Sequence, residues 1–260
     1  VVDNGPSQES RDVLAGLKRS YQGIEVIETE QNIGGAGGFN LGLKAAYYLG
    51  ATHFWLMDDD AYCNDTTLSE LTLAYDRLST EEPVGFLCSR VNWRDGGICH
   101  MNQPETTWDW MRPFERDHPI IKVLTCSFVS CFFSREILEQ VGLPIKEFFI
   151  WFDDIEFTTR ISDLYPSYAI LDSVLTHDTE TNQSAYFAEI DDSNLWKFCY
   201  GAANESWINL KQKSFFHWVL FWVRRNRDMH KGQVSIRNRF QVNKAMLRGA
   251  LRRLRIEPVQ

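Results

Sequence analysis

Several features are missing from this 260-residue sequence, and each absence narrows the classes of protein it can encode. No apolar run approaches the ~20 residues that a membrane-spanning helix needs. The six cysteines form neither a CxxC pair nor another paired metal-ligand spacing, so we expect reduced thiols, mostly in the core, of a cytosolic protein. A formal net charge of −8 argues against a nucleic-acid-binding protein.

The start of the sequence also lacks familiar signals, since it has neither an initiator Met nor a signal peptide. It opens on Val1-Val2-Asp3, which is typical of the end of a strand. We therefore expect a piece of a longer protein, from which at least one preceding strand is absent. The hydrophobic content of 44% is enough for a substantial core, and the length fits one domain with an appendage.

Strand and helix patterns alternate through most of the chain, which is typical of a sheet with helical connections. This alternation predicts an α/β fold whose Rossmann-like sheet is mixed, mainly parallel and flanked by helices. The predicted elements are helix Arg11–Ser20, strand Ile24–Ile27, a glycine-rich turn Asn32–Gly38, strand His53–Met57, a helix from Thr66, strand Val84–Cys88, a β-like run Val123–Ser134, helices Arg135–Val141 and Asp153–Leu164, and strands Tyr168–Leu171 and Val174–His177.

The C-terminal part of the chain is predicted to be helical and is basic, with 13 Lys+Arg against one acid, Asp228, between Lys211 and Arg255. We therefore divide the chain into an α/β domain over residues 1–190 and a helical, basic region over residues 191–260. The apolar segment Phe215–Val223, followed by arginines, suits a helix lying on an anionic membrane surface. Packing of its aromatic side chains against the rest of the chain is the alternative.

Three adjacent carboxylates, Asp58, Asp59 and Asp60, follow the apolar strand His53–Met57. They repel one another, so a strand end is a costly place for them unless a cation compensates their charge. Since side chains alternate along an extended backbone, Asp58 and Asp60 can approach one divalent ion, while Asp59 faces a ribose or a basic side chain. Oxygen ligands suit Mg²⁺ or Mn²⁺, which neutralise a diphosphate. A solvated acidic turn before the Thr66 helix is the alternative.

A second acidic group, Asp153, Asp154 and Glu156, follows an aromatic run and lies in the first turn of a predicted helix. The helix dipole stabilises negative charge there, so an ionised carboxylate can serve as general base toward a substrate hydroxyl. Ordinary helix capping, with Glu156 paired to Arg160 at i,i+4, is the alternative.

Two further segments are candidates for a functional site only in combination with these acidic groups. A divalent site that holds two aspartates often accepts an imidazole, and His177 follows a predicted strand. Four glycines between Asn32 and Asn40 let the backbone come close to a ligand before a helix begins. This segment is not a GxxxxGK[ST] phosphate loop, because the Lys and the Ser/Thr are missing, and it does not give a convincing GxGxxG.

Four motifs occur in a fixed order: VVDNG from Val1, NIGGAGGFN from Asn32, WLMDDD from Trp55 and WFDDIEF from Trp151. In combination they resemble the motifs of family 2 GT-A glycosyltransferases. Within that family the nearest resemblance is to bacterial galactofuranosyltransferases and related rhamnosyltransferases. The resemblance extends from Val1 to about His177 and implies that residues 1–190 are a GT-A catalytic domain.

The resemblance implies an inverting transfer in cell-surface polysaccharide synthesis, from UDP-galactofuranose in preference to dTDP-rhamnose, to a glycan or lipid-linked acceptor. It implies a Mn²⁺ or Mg²⁺ cofactor held by Asp58, Asp60 and His177, with Asp154 as the base that deprotonates the acceptor. The implied location is the cytoplasm or the inner face of the plasma membrane. The other residues implied at the site, which contact acceptor hydroxyls or the donor, are Asp153, Glu156, Asp3, Asn32, Gly34, Gly35 and Asp59.

The sequence departs from the family pattern at two points. The family's first strand, which contacts the nucleobase, is missing here. The segment Trp196–Asn204 resembles a tyrosine-rich segment that usually ends in Arg-Asn, but Ala203 stands in place of the arginine. No phosphate or acceptor contact is therefore carried over to that position.

Two functions of other classes remain alternatives. A metal-dependent phosphohydrolase with an aspartate nucleophile predicts phosphate release without an acceptor, but no lysine and threonine constellation is evident near Asp58. A non-catalytic carbohydrate-binding module would stack Trp93, Trp108 and Trp110 of the loop-like segment Asn92–Pro119 on sugar rings. It predicts glycan binding that depends on neither metal nor nucleotide. The same segment suits an acceptor-facing insertion.

Overall fold

Eight strands and eight α-helices make up the computed structural model, which describes residues 1–260. The helical content after residue 193 agrees with the predicted C-terminal region. In chain order the elements are β1 Val2–Asp3, α1 Gln8–Ser20, β2 Ile27–Glu28, α2 Gly34–Tyr48, β3 His53–Leu56, β4 Ala61–Cys63, α3 Thr67–Ser79, β5 Leu87–Trp93, β6 Ile120–Val123, β7 Cys131–Ser134, α4 Arg135–Val141, α5 Asp153–Ser162, β8 Ser167–His177, α6 Leu195–Ile208, α7 Phe215–Lys231 and α8 Ile236–Leu251.

These elements form two compact units, each drawn from segments that are distant in sequence. Unit 1 comprises Val1–Ala45, Pro144–Asp153 and Ala185–Glu257. Unit 2 comprises Ala46–Leu143, Asp154–Ser184 and Pro258–Gln260. The predicted division at residue 190 stays a prediction.

Unit 2 is built on a six-stranded sheet in the order β3-β7-β5-β8-β4, with β6 paired to β8 outside this path. The predicted mixed sheet with flanking helices is confirmed. The sheet is mainly antiparallel rather than mainly parallel as predicted. Only the pair β5–β8 is parallel, and the antiparallel pairs are β3–β7, β5–β7, β4–β8 and β6–β8. Helix α3 covers one face, where Leu71 and Ala74 pack against Leu87, Phe132 and Ile170.

The register of this sheet brings the ends of β3, β4 and β8 together. β4 runs antiparallel to β8 and pairs Ala61 with His177. The backbone N–H of Asp178 donates to the carbonyl of Asp60 over 3.0 Å. The turn that carries the three aspartates, between β3 and β4, therefore lies beside the end of β8.

Unit 1 contains a two-stranded parallel sheet of β1 and β2, together with the C-terminal helices. Helices α6, α7 and α8 share a core that includes Phe198, Phe221 and Met246. At the crossing of α6 and α8, a Cβ atom at Gly249 would overlap the carbonyl oxygen of Ala203. Only glycine allows this close approach of the two helices.

Three local predictions are wrong. The predicted turn Asn32–Gly38 is largely helix, because α2 begins at Gly34. The side chains of Asn4 and Asn32 accept hydrogen bonds from the N–H groups of Ile33 and Gly34, both over 2.8 Å, which satisfies donors that a helix start leaves unpaired.

The predicted run Val123–Ser134 is two strands rather than one. β6 ends at Val123 and pairs with β8, whereas β7 begins at Cys131 and pairs with β3 and β5. Since the two halves have different neighbours, the chain must turn between them. Conversely, the predicted strands Tyr168–Leu171 and Val174–His177 are one strand, β8, whose pairing with β5 shifts between Ser89 and Arg90.

Candidate functional site

Asp58, Asp60 and His177 come together at one edge of the sheet in unit 2. Their ligand atoms all lie within 4.8 Å of one another. Asp58 and Asp60 are half-buried, and His177 is buried with its Nε2 atom 3.0 Å from Oδ1 of Asp60. Asp59 is exposed and lies outside this group. The separation of Asp59 from its two neighbours was predicted from strand alternation, but β3 ends at Leu56 and the turn before β4 produces it.

The imidazole of His177 is held from its other side by Asn102. Nδ1 of His177 lies 2.7 Å from Oδ1 of Asn102, whose Nδ2 donates to Oγ of Ser127 over 2.9 Å. The amide oxygen of Asn102 faces Nδ1 of the ring, which leaves Nε2 as the nitrogen that faces Asp60. The thiol of Cys99 also donates to Oδ1 of Asn102, over 3.0 Å. Sequence reasoning missed Asn102, which lies in the loop-like segment that has no periodic pattern.

The negative charge at this edge of the sheet is only partly compensated. The pKa of Asp58 is raised from 3.8 to about 6, first by burial and then by the charge of Asp60, with smaller contributions from Asp154 and Asp59, while His177 opposes the rise. A divalent cation would remove this penalty. Two carboxylates and one imidazole nitrogen are also a ligand set that Mn²⁺ accepts, so the residues present fit a metal ion.

Asp154 and Glu156 lie in the first turn of α5. Burial raises the pKa of Asp154 to about 6, although the N–H of Ile155 donates to its Oδ1 over 2.7 Å and opposes the shift. Glu156 is fully buried, and both its oxygens accept from the guanidinium of Arg160, over 2.8 and 3.0 Å. The i,i+4 ion pair weighed from the sequence is therefore present, and the acceptor-orienting role of Glu156 stays a prediction. Arg160 also donates to the carbonyls of Val141 and Leu143.

The residues predicted to contact the donor lie mostly in unit 1. Asp3 ends β1, and its Oδ2 accepts from Oγ of Ser10 over 3.0 Å. Gly34 has a φ of +78°, and a Cβ atom there would overlap the carbonyl oxygen of Phe149, so packing of the backbone already requires glycine at this position. Around Gly35 a Cβ atom would meet nothing within 4 Å, which leaves open space beside the start of α2.

A strained segment immediately precedes Asp153 in the chain. Phe149, Trp151 and Phe152 all have positive φ values, of 64°, 65° and 69°. Such values are rare for bulky residues and persist only where the surroundings enforce them. The buried amide of Asn204 on α6 provides that restraint, because its Nδ2 lies 2.8, 3.1 and 3.0 Å from the carbonyls of residues 148, 150 and 151. Nothing in the sequence pattern indicated this arrangement.

A solved structure described as GalNAc-T7 with UDP, GalNAc and Mn²⁺ is similar in fold to this chain. The two have a TM-score of 0.58 at 12% identity, over 80% of this chain and 40% of that one. The mixed sheet with its flanking helices is thus a GT-A fold, the fold of a class of glycosyltransferases.

The sequence comparisons place the chain more closely within this class. The model of glycosyl transferase family 2 matches residues 1–142, and the chain belongs to this family. Galactofuranosyltransferase GlfT1 of Mycolicibacterium smegmatis is 29% identical over 171 residues, which are 62% of this chain and 54% of that protein. GlfT1 of Mycobacterium tuberculosis is 28% identical over 173 residues, covering 62% and 53%. The chain therefore spans about half the length of these curated relatives.

Proposed function

We propose that this glycosyltransferase is metal-dependent and inverting, and that it moves a sugar from a nucleoside-diphosphate donor to an acceptor hydroxyl. The convergence of Asp58, Asp60 and His177 in unit 2 of a family 2 chain is the observation that carries the proposal. The carboxylate of Asp154 belongs to the same unit, and its charge acts on Asp58. A metal ligand set and a candidate base are thus electrostatically linked.

The proposed metal ligands are Asp58, Asp60 and the Nε2 atom of His177, whose ring Asn102 orients. A bound Mn²⁺ or Mg²⁺ would neutralise the diphosphate of the donor and stabilise it as a leaving group. Two carboxylates without a compensating cation would repel a diphosphate, so the proposal requires the metal for donor binding.

Asp154 is the proposed general base. With a pKa raised to about 6, its carboxylate is mostly ionised at pH 7 yet more basic than an ordinary aspartate. It takes the proton of the acceptor hydroxyl while the hydroxyl oxygen forms a bond to the anomeric carbon. The bond from that carbon to the diphosphate oxygen breaks, and its electron pair leaves with the nucleoside diphosphate. A single displacement of this kind inverts the anomeric carbon.

The remaining residues of the proposal bind and orient the two substrates. The exposed side chain of Asp59 and the open space beside Gly35 suit contact with a ligand. The residues proposed for the donor are Asp3, Asn32, Gly34, Gly35 and Asp59, and those proposed to orient acceptor hydroxyls are Asp153 and Glu156.

UDP-galactofuranose is the proposed donor, and a glycan or lipid-linked glycan in cell-surface polysaccharide synthesis is the proposed acceptor. The support for this sugar is that two curated relatives are galactofuranosyltransferases by name. At 28–29% identity the sugar pocket has room to differ, so dTDP-rhamnose is the competing donor.

A donor screen tests the proposal. The chain, with Mn²⁺ and a bacterial lipid-linked glycan fraction, is given UDP-galactofuranose, dTDP-rhamnose or UDP-glucose, and release of UDP or dTDP is followed with and without acceptor. We expect acceptor-dependent release of UDP from UDP-galactofuranose and its loss in Asp154→Asn. Release that needs no acceptor would favour a phosphohydrolase, and glycan binding without any release would favour a binding module; either outcome contradicts the proposal.

A further inference from the structure

Helices α7 and α8 of unit 1 each carry a stripe of exposed apolar side chains. Their inward faces are already used, since Phe221 and Met229 of α7 and Val242 and Met246 of α8 are buried in the shared core. The outward stripes are additional to this core. They consist of Phe215, Phe216, Val219, Leu220, Trp222 and Val223 on α7, and of Ile236, Phe240, Leu247 and Leu251 on α8.

The two stripes meet. Asn226 lies three residues after Val223, and Asn243 lies three residues after Phe240, so each amide is on the same face of its helix as the exposed apolar side chains. The two amides exchange hydrogen bonds of 3.0 and 2.9 Å. We call the resulting continuous surface, formed by the two stripes and this amide pair, the α7–α8 face.

The exposed charged side chains that α7 and α8 themselves carry are all basic, and the exposed Asp192 outside these helices accepts from the buried Asn238 of α8 over 2.9 Å. Exposed bases flank both stripes, and the only acid between residues 211 and 255 is Asp228, which is buried beside Arg225. A second copy of the chain would bring the same positive charge against this face, whereas an anionic surface complements it. The exposed bases are Arg224, Arg227, Lys231, Arg237, Lys244 and Arg248.

We infer that the α7–α8 face binds the surface of an anionic lipid bilayer, with its apolar stripes among the acyl chains and its bases at the lipid phosphates. No helix of the chain is long and apolar enough to cross a membrane. On this inference the two helices lie along the bilayer surface, where their apolar stripes contact it. This binding needs neither donor nor metal, so its test is independent of the proposed transfer reaction.

Flotation with lipid vesicles tests the inference. The chain is mixed with vesicles of phosphatidylcholine alone or with about one third phosphatidylglycerol, and the partition coefficient is measured. We expect binding to the anionic vesicles and a loss of about tenfold or more in Phe216→Ser/Phe240→Ser, because each removes a largely exposed apolar side chain from the stripes. The matched control, Leu73→Ser/Leu164→Ser, removes equally exposed apolar side chains of unit 2 and should bind as the parent chain does.

The salt dependence of vesicle binding measures the electrostatic contribution of the bases separately. Raising NaCl from about 0.1 to about 1 M shortens the Debye length from about 10 to about 3 Å and should weaken binding to the anionic vesicles. The loss of binding with added salt should be smaller in Arg227→Gln/Lys244→Gln than in the parent chain. Equal binding of the stripe variant and the control, or no binding to anionic vesicles, would overturn the inference. The inference would also be overturned if light scattering showed that, without lipid, the parent chain is a dimer and the Phe216→Ser/Phe240→Ser variant is a monomer.

Discussion

Asp58→Asn should stabilise the metal-free chain at neutral pH even though it removes a proposed metal ligand. The carboxyl of Asp58 has its pKa raised from 3.8 to about 6, first by burial and then by the charge of Asp60. A raised pKa means that the folded state favours the protonated form. The stabilisation by that proton is complete below about pH 4 and is lost as the pH rises through 6. Asparagine has a similar shape and never ionises, so it avoids this loss.

The magnitude follows from the same values. A pKa rise from 3.8 to about 6 corresponds to roughly 3 kcal/mol between ionised and protonated forms. Asp58 is only half-buried, and solvent screens part of this, so we expect Asp58→Asn to raise the free energy of unfolding by about 1–2 kcal/mol at pH 7. The gain should shrink as the pH is lowered from 6 toward 4.

Urea unfolding in EDTA, at several pH values, measures this difference. Asp59→Asn is the matched control, because Asp59 is exposed and its substitution should change stability by less than about 0.5 kcal/mol. Addition of Mn²⁺ at about 100 times its Kd should stabilise the parent chain by about 2.7 kcal/mol and Asp58→Asn far less. If the Asp58→Asn chain is no more stable than the parent in EDTA at pH 7, the ionised carboxylate of Asp58 does not destabilise the folded chain.

Three further predictions follow from the structure. Asp154→Asn should lower kcat by about 10²–10⁴-fold in the transfer assay, while calorimetry shows unchanged donor binding. The kcat of the parent chain should fall about tenfold per pH unit below pH 6, because the base must be ionised. Normal turnover of the variant would rule out Asp154 as the base. Gly34→Ala should cost about 2 kcal/mol or more in thermal unfolding, since its Cβ would overlap the carbonyl of Phe149, whereas Gly35→Ala should be neutral or slightly stabilising. Asn204→Ala should cost about 2–4 kcal/mol in urea unfolding, because it releases the three carbonyls of the strained segment; a change below about 0.5 kcal/mol would show that the segment needs no such restraint.

Part of the candidate site could be predicted from the sequence because the signal was local. Alternation along an extended chain predicted that Asp58 and Asp60 share a site without Asp59, and the ligand atoms of the first two do converge. The structure reaches this arrangement through the turn between β3 and β4 rather than through a strand. His177 was a candidate from the sequence only in combination with the two aspartates, and the family resemblance placed it at the metal. The physical cause of its position is the antiparallel pairing of β4 with β8, which connects residues more than a hundred positions apart.

Other parts of the site and the fold depend on tertiary contacts that produce no periodic pattern in the sequence. Asn102 lies in a loop, and nothing in its local sequence indicates that it orients an imidazole from the end of a distant strand. The positive φ values of Phe149, Trp151 and Phe152 contradict the ordinary preferences of these residues and require the tertiary restraint from Asn204. The glycine run was expected to be a turn, but capping by asparagine side chains made most of it helix.

The metal-bound donor is the central claim, and a calorimetric titration of UDP tests it most directly. UDP is titrated into the parent chain and into Asp60→Ala, each with and without Mn²⁺. We expect the parent chain to bind UDP much more tightly with Mn²⁺ than without it, and Asp60→Ala to lose this dependence. UDP binding that is the same with and without Mn²⁺, and unchanged in Asp60→Ala, would contradict the claim of a metal-bound donor.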